Sequence, residues 1–359
     1  MLIYISKGDM AMSDLKDIIT SFKKLSFSER AAFYYTVSVD ADLSATHLQS
    51  FLIETRITDG HSCIHCSGTH VVKNGTRRDG TQRYLCRDCG KSFIPRSLSI
   101  TSGTRKKLSV WTAYLRCMLE KKTLRESSEE CGISMVTAFA WRHKILDALH
   151  DMTEKVLLDG TVEADETFFD VSYKGNHRQF NLPREARKRG GSVHTGGLSS
   201  EKVCVPCAVS EEGIAYARPA KLGKVSSECV RAVFDGVISP QATLCTDHEQ
   251  AYPGFAREQG IALIQMDTGC RIKEDHGKVY GIQRINAYHS HLKGFIQRFR
   301  GVATKYLDNY ITWNNLLVNS RRNKEEFLSL LLSELLVVRM AIRNRDIPGR
   351  APLPGILRG

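Results

Sequence analysis

The sequence predicts an α/β protein in which a mixed-sheet domain follows two smaller modules. Three features of its 359 residues lead to this prediction. Two Cys-x-x-Cys pairs lie within residues 59–98, helical segments joined by a glycine lie within 103–152, and strand patterns alternate with helical patterns across 157–320. Because strands that alternate with helices build a sheet covered by helices, we expect the third region to be the largest domain.

The remaining segments and the overall charge complete the predicted organisation. The N-terminal segment 1–58, with helical periodicity over residues 13–58, is predicted to form a packing or dimerisation element. Residues 321–359 are predicted to form an amphipathic helix and a tail. The chain has 51 Lys and Arg against 39 Asp and Glu, a formal charge of +12, which favours a polyanionic partner. Ten of these cations and only two acids fall within residues 61–110, so the excess of positive charge is concentrated in that segment.

The sequence shows no sign of membrane insertion or secretion. No stretch reaches the roughly 18 apolar residues of a membrane helix, and the apolar residues 2–5 are too few for a signal peptide. We therefore expect a cytoplasmic protein with no membrane partner. Its eleven cysteines are expected to be thiols or metal ligands, because a reducing cytosol does not maintain structural disulfides.

The most specific motif is a pair of Cys-x-x-Cys turns separated by nineteen residues, with cysteines at Cys63, Cys66, Cys86 and Cys89. Each turn presents two thiolates to one tetrahedral zinc ion, so the two turns together close a structural site. Between them Asn74-Gly75 and Asp79-Gly80 are predicted as turn dipeptides of a hairpin. We therefore predict a zinc ribbon, and we expect its Arg- and Lys-rich strands to contact phosphate.

The region that follows the ribbon, residues 103–152, predicts three helices. A capping box at Thr123–Glu126 opens the second helix, and a glycine turn joins it to the third helix. This is the helix-turn-helix layout, although an ordinary helical core is the alternative interpretation. The third helix carries three polar or aromatic residues opposite its apolar side. We predict that these residues contact a DNA groove: Thr137, Trp141 and Lys144.

An acidic pair interrupts the strand-forming segment TVEADETFF at residues 161–169. Its apolar residues alternate with a period of two, so Asp165 is predicted to lie in a buried or half-buried strand. An ionised side chain there needs a cation, a metal or several hydrogen-bond donors, because its desolvation costs several kcal/mol. By itself this strand is therefore compatible with either a metal site or a salt-bridged core.

Two later features favour the metal site. Asp247 follows the apolar run ATLCT and is predicted to lie at a strand tip, although a turn role is the alternative for this residue alone. A predicted helix at 284–300 presents Asn286, His289 and Lys293 on one face. Two carboxylates and an additional oxygen donor suit Mg²⁺ or Mn²⁺ better than zinc. Such an oxygen-rich site is suited to phosphodiester chemistry.

Four segments together resemble the acid-triad transposases of bacterial insertion sequences. These segments are VEADETFF, the PREARKRGG loop, CTDHEQAYPGF and INAYHSHLKGFIQRFRGVATKYLDNYITWNNLL. With the zinc ribbon in front, the sequence is most similar to insertion-sequence family fifteen-ninety-five and its relatives, from about residue 13 to 320. The resemblance implies an RNase H-like catalytic fold, magnesium dependence, and DNA cleavage with strand transfer.

The same resemblance assigns roles to individual residues. Asp165 corresponds to the first acid and Asp247 to the second. The third position falls at Asn286 when Lys293 is aligned with the lysine of the family motif, so an amide replaces the usual glutamate. Lys293 is expected to hold DNA phosphate, together with three cations of the basic loop: Arg187, Lys188 and Arg189.

The sequence thus predicts a DNA transposase that binds terminal inverted repeats and joins the element ends to target DNA. Because two ends must be brought together, we expect a homodimer or higher assembly on double-stranded DNA. The expected location is the nucleoid of a bacterial cytoplasm, with catalytic Mg²⁺ or Mn²⁺ and structural Zn²⁺. The alternative is a decayed or domesticated DNA-binding protein in which Asn286 marks the loss of catalysis.

Overall fold

The structure is a computed structural model that describes most of the region from residue 63 to 320. The described residues are 21, 63–78, 80–94, 97–153, 156–176, 182, 185, 201–267, 272–275, 277–320, 327–328, 331, 335 and 342–353. The predicted helical segment 1–58 (apart from residue 21), Arg187, Lys188, Arg189 and most of the predicted C-terminal helix lie outside them. The chain divides into two compact units. The first comprises Met1–Lys122, Ser127–Ile133 and Arg322–Ala341, and the second comprises Thr123–Glu126, Ser134–Arg321 and Ile342–Gly359.

The first unit contains a small antiparallel sheet of three strands. They are β1 (Val71–Thr76), β2 (Gln82–Cys86) and β3 (Ser92–Phe93). The chain reverses where the Arg77 N–H donates to the Thr81 carbonyl at 2.9 Å. The predicted turn at Asn74-Gly75 is wrong, because both residues lie inside β1, where the register with β2 shifts. Gly75, with φ of 71°, accommodates this irregularity without the strain that a side chain would introduce.

The three helices predicted after the ribbon are present, and the second begins directly after the capping-box threonine. The helices are α1 (Leu108–Leu119), α2 (Leu124–Glu130) and α3 (Met135–Thr153). In the capping box, the Thr123 N–H donates to Glu126 Oε2 at 2.6 Å and the Glu126 N–H donates to Thr123 Oγ1 at 3.4 Å. Ser134 Oγ accepts from the Thr137 N–H at 3.1 Å and so caps α3. The helix-turn-helix arrangement itself stays a prediction.

The second unit is built on a mixed sheet with strand order β6-β5-β4-β8-β9. The strands are β4 (Thr161–Asp170), β5 (Lys202–Ser210), β6 (Ala215–Ala217), β7 (Lys221–Leu222), β8 (Thr243–Thr246) and β9 (Ala262–Gln265). β4, β5 and β6 pair antiparallel, β7 also pairs with β5, and β8 and β9 run parallel to β4. The predicted α/β class with a mixed sheet is therefore confirmed.

Helices and a hairpin complete the second unit. They are α4 (Ser227–Phe234), α5 (Ala251–Gln259), the hairpin β10 (Ile272–Asp275) and β11 (Lys278–Gly281), α6 (Gln283–Arg298), a 3₁₀ turn (Thr304–Tyr306) and α7 (Leu307–Asn319). On one face of β4, Val162 and Ala164 share a buried core with Phe234 of α4 and Phe255 of α5. Since side chains alternate along a strand, Glu163 and Asp165 project from the opposite face.

The edge strand β6 is covered by an asparagine side chain of α7. Asn319 Nδ2 donates to the Ala215 carbonyl and Asn319 Oδ1 accepts from the Ala215 N–H, both at 2.8 Å. This amide pairs with the edge as a neighbouring strand would, which satisfies backbone groups that would otherwise promote aggregation. None of the helices among the described residues combines the length and apolar character needed to cross a bilayer.

The buried contact between α3 and α7 is centred on His143. Its ring lies 4.1 Å from the ring of Tyr306, and it is 1% exposed. Burial lowers the pKa of His143 well below its usual 6.5, and the nearby cations of Arg350, Arg142 and Lys305 lower it further. The imidazole is therefore neutral in the folded protein at neutral pH.

We expect this buried imidazole to make the protein sensitive to acid. Below about pH 6.5 the unfolded chain protonates His143 but the folded chain does not, so the free energy of unfolding falls by up to about 1.4 kcal/mol per pH unit. The stability that depends on a neutral His143 is fully present above the pKa of this residue in the unfolded chain, and it is lost as the pH decreases. Urea titrations from pH 7.5 to 5.5 should show a shallower decrease for His143→Phe than for the native chain. Equal slopes for His143→Phe and the native chain would contradict the expectation.

Candidate catalytic site and metal centre

The two acids singled out in the sequence lie side by side on neighbouring parallel strands. Glu163 of β4 is paired with Cys245 of β8. Two residues further along each strand are Asp165 and, directly after β8 ends, Asp247. Because adjacent strands are about 4.8 Å apart, this register places the two carboxylates next to each other. A pair of residues far apart in the sequence thus forms one acidic site.

Hydrogen bonds to the main chain orient both carboxylates. Asp165 Oδ1 accepts from the Glu166 N–H at 2.7 Å, and Asp247 Oδ1 accepts from the Glu249 N–H at 2.9 Å. The turn that carries Asp247 is held by Gln265 of β9, whose Nε2 donates to the Asp247 carbonyl at 3.2 Å. Asp165 is thus held within β4 and Asp247 directly after β8, as expected for groups whose geometry controls chemistry.

Burial raises the pKa of Asp165 to about 6, and the negative charge of Asp247 contributes to the rise. Lys293 and the Glu166 N–H oppose this shift. Among the described residues, no Lys or Arg forms an ion pair with Asp165 or Asp247. The two acids therefore form a site of concentrated, incompletely compensated negative charge.

Helix α6 is fastened to the same strand by a carboxylate for which the sequence predicted no role. Glu163 is 2% exposed, its Oε1 accepts from Arg284 Nη1 at 2.9 Å, and its Oε2 accepts from the Ile285 N–H at 3.0 Å. The second bond satisfies an otherwise unpaired N–H in the first turn of α6. Glu163 thereby fixes the position of α6 relative to β4. The sequence signal for this role is the position of Glu163 in the segment TVEADETFF, because a residue two positions before Asp165 lies on the same face of a buried strand.

We expect Glu163→Gln to destabilise the protein by about 1–3 kcal/mol, since a neutral amide replaces a buried charge-assisted acceptor. The measurement is the free energy of unfolding in urea. The control Glu228→Gln removes an exposed carboxylate from the same unit and should change stability by less than about 0.5 kcal/mol. A double-mutant cycle with Arg284→Gln isolates the Glu163–Arg284 coupling. Equal stabilities for the Glu163 and Glu228 variants would show that the hydrogen bonds between Glu163 and α6 do not stabilise the protein.

The face of α6 predicted to carry polar residues is only partly directed toward the acids. His289 is 8% exposed, and its Nδ1 lies 3.8 Å from Asp165 Oδ2. Burial, together with the charge of Lys293, lowers the pKa of His289 to about 4, and a hydrogen bond to the Asp165 main chain opposes this shift. Asn286 is exposed, and no side-chain hydrogen bond joins it to either acid within the described residues. His289, rather than Asn286, therefore makes the close contact with Asp165.

Glu166 lies on the opposite face of β4 from Asp165. Burial raises the pKa of Glu166 to about 7, with opposition from the Tyr252 hydroxyl and further increases from Asp165, Asp247 and Glu249. Tyr252 is fully buried in α5. Glu166 therefore lies beneath the acidic pair, and its side chain projects away from the Asp165 carboxylate.

The four cysteines of the ribbon converge on one point in the first unit. Their Sγ atoms all lie within 4.8 Å of one another. Cys63 Sγ is 3.6 Å from Cys89 Sγ, and Cys66 Sγ is 3.7 Å from Cys86 Sγ. These distances match the roughly 3.8 Å edge of a tetrahedron whose zinc–sulfur bonds are about 2.3 Å. The cluster could therefore hold a zinc ion.

Backbone groups around the cluster also suit thiolate ligands. The His65 N–H points to Cys63 Sγ at 3.3 Å, and the Gly68 N–H points to Cys66 Sγ at 3.4 Å. Such donors stabilise the negative sulfur atoms of a metal-bound knuckle. By contrast, Cys204 and Cys207 are fully buried in β5.

The residues predicted to contact DNA differ in exposure. Trp141 is 4% exposed, so its indole does not face solvent in this structure. Thr137 and Lys144 are half-buried, and Lys293 is exposed on α6. Burial lowers the pKa of Lys144. Groove contact by Thr137, Trp141 and Lys144 remains a prediction, and burial makes Trp141 the least accessible of the three.

Comparison with known proteins places these features in a family context. Residues 157–313 match the family described as the ISXO2-like transposase domain. An uncharacterised protein in transposable element ISH50 of Halobacterium salinarum is 24% identical over 275 residues, which cover 75% of this chain and 89% of that protein. A pre-cleavage Mos1 transpososome structure aligns over 86% of this chain and 98% of its own, with 9% identity and a TM-score of 0.20. That score is too low to support an argument about the fold.

Proposed function

Because residues 157–313 of this chain belong to the ISXO2-like transposase domain family, we propose that the protein is the DNA transposase of a bacterial insertion sequence. In this proposal the second unit is an RNase H-like catalytic domain. The antiparallel β4-β5-β6 meander, with β8 and β9 parallel to β4 on its other side, supports that fold.

The observation that carries the proposal is the adjacency of Asp165, in the middle of β4, and Asp247, directly after β8. Two oriented carboxylates without a cationic side chain between them are the donors that Mg²⁺ or Mn²⁺ prefers. Asp165 and Asp247 would hold the metal, and the amide oxygen of Asn286 would be the third protein ligand. When bound, the divalent ions supply Lewis-acid stabilisation of the phosphodiester oxygens in a two-metal mechanism.

The chain itself orients the DNA for two successive reactions. A water oxygen first attacks the phosphorus at the element end, and the broken P–O bond leaves a free 3′-hydroxyl. That hydroxyl then attacks a phosphodiester of the target, so each step replaces one P–O bond by another. Lys293, exposed one helical turn beyond His289, would hold a DNA phosphate beside the acids.

The proposed partners are the terminal inverted repeats and the target DNA. We assign repeat binding to the zinc-bound ribbon and to the predicted helix-turn-helix region at residues 103–152, with Thr137, Trp141 and Lys144 as groove contacts. Arg187, Lys188 and Arg189, from the basic loop predicted by the sequence, would contact DNA phosphate. Because two ends are joined, the active form would be a homodimer or larger assembly on DNA in the bacterial nucleoid.

A strand-transfer assay tests this proposal. Purified protein is incubated with labelled oligonucleotides that carry the ends flanking its gene, with supercoiled plasmid and Mg²⁺ or Mn²⁺. We expect end cleavage, joined products on the plasmid and loss of both when the metal is chelated. Binding without cleavage in either metal would contradict the enzyme assignment.

A decayed DNA-binding protein is the second candidate, and the exposed Asn286 without a contact to either acid favours it. Loss of one negative charge at the third position should weaken metal binding. Restoration of cleavage by Asn286→Glu in an inactive native chain would support decay. An active native chain would exclude it.

A further inference from the structure

The first unit contains a cleft of about 900 Å³ beside the ribbon, formed by the end of β1, β2, β3 and the segment at residues 102–105. Three arginines line it: Arg77, Arg83 and Arg105. All three are exposed. Within the described part of the chain, none of them forms an ion pair, and the cleft lining includes no carboxylate. Three guanidinium groups that share one concave surface without a counter-charge favour an anionic ligand.

The other lining groups define the type of anion. Hydroxyl groups come from Ser92, Ser97, Ser102 and Thr104. Guanidinium and hydroxyl donors together are the groups that bind phosphate oxygens in protein–DNA complexes. We propose that this cleft binds the phosphodiester backbone of duplex DNA. This inference rests on the proposed transposase function and assigns to named residues a contact separate from the catalytic site.

The cleft lacks the features of a base-binding or nucleotide-binding pocket. Its aromatic lining residue, Phe93, is 3% exposed and stacks on Tyr84 with the ring centroids 5.7 Å apart. Single-strand binding proteins expose aromatic rings on which successive bases stack, and the described lining offers no such exposed ring. The backbone of a duplex, whose bases are already stacked, therefore fits this surface better than a single strand.

The ribbon fold explains why these side chains meet. Leu85 of β2 is opposite Ser92 of β3, so Arg83, two residues before Leu85, lies on the same face as Ser92. Arg77 follows β1 at the hairpin turn, which is closed by its own N–H and carbonyl. Arg105 comes from the chain just before α1. Binding of a phosphate backbone in the cleft thus depends on the folded ribbon.

The test is the salt dependence of DNA binding by the full chain. The cleft variant carries Arg77→Gln, Arg83→Gln and Arg105→Gln. A matched control carries Arg78→Gln, Arg87→Gln and Lys91→Gln, which removes the same charge from exposed ribbon residues outside the cleft. Each lost phosphate contact should reduce the slope of log K against log salt by roughly 0.9. We expect a decrease of about 2–3 for the cleft variant and less than about 1 for the control.

Four further measurements separate the possible explanations. Zinc content must equal that of the native chain, and Arg77→Lys, Arg83→Lys and Arg105→Lys together should restore most of the slope because lysine keeps the charge. Single-stranded DNA of the same sequence should bind more weakly than duplex, and inorganic phosphate should compete poorly. Equal slopes for the cleft and control variants would contradict duplex binding in the cleft. Preferential binding of the single strand, or tight competition by phosphate, would also contradict it. None of these three results would affect the proposed transposase function. A native chain that binds no DNA would overturn the proposed function as well.

Discussion

Strand transfer is expected to fall by at least about a thousandfold in Asp165→Asn and in Asp247→Asn, because each change removes one of two adjacent carboxylates that would hold the catalytic metal. Asparagine keeps the shape of the side chain, so the sheet should remain intact. It also removes the repulsion between the two carboxylates, which adds to the effect of burial in raising the pKa of Asp165. The variants should therefore be at least as stable as the native chain while inactive.

Two controls make this expectation specific. Asp170→Asn changes a carboxylate on the same strand whose side chain is 50% exposed and 4.0 Å from Lys202 Nζ, and it should retain nearly full activity. Calorimetric titration with Mn²⁺ supplies a readout that is independent of DNA, and both active-site variants should bind the ion more weakly. DNA affinity should remain close to native. Normal joining by either variant would show that the acidic pair is not the catalytic site.

Removal of zinc, or of one zinc ligand, is expected to unfold the ribbon. The buried core around the cluster is small and consists mainly of Cys63, Ile64, Cys86 and Phe93. A structural zinc ion contributes roughly 10–16 kcal/mol of apparent binding energy in comparable modules, far more than so small a core can replace. Cys86→Ser should therefore abolish stoichiometric zinc and weaken duplex binding by at least about tenfold.

Metal analysis and limited proteolysis measure this effect directly. The native chain should contain one zinc ion, and Cys86→Ser should be cleaved within residues 63–94 under conditions that spare the native ribbon. The control Cys131→Ser alters a half-buried cysteine of the same unit, 3.8 Å from Cys117 Sγ, and should retain its zinc. Full zinc content in Cys86→Ser would refute a four-cysteine site.

Local chemistry made several elements predictable from the sequence. The capping box at Thr123, the cap at Ser134 and the two cysteine turns each depend on residues a few positions apart, so their signals survive without knowledge of the fold. The strand around Asp165 and the apolar stripe of α6, with buried Tyr288 and Leu292, follow from periodicities of 2 and 3.6 residues.

Contacts between distant segments were decided only by the tertiary structure. Periodicity shows which face of an element is buried, but it does not identify the partner. The parallel register of β4 and β8 was required to bring Asp165 beside Asp247. The position of α6 depends on Glu163, which reaches the backbone of a helix far along the chain. The approach of His289, and not Asn286, to Asp165 follows from that placement.

The sequence by itself thus determined the elements, the cysteine site and the identity of the candidate acids, because these follow from short-range hydrogen bonding, periodicity and metal-ligand spacing. The structure decided that Asn74-Gly75 is an irregularity within β1 and not a turn, that Trp141 is buried, and that three arginines share one cleft. Each of these depends on how the whole chain packs, since strand register and side-chain burial are set by contacts between residues far apart in sequence.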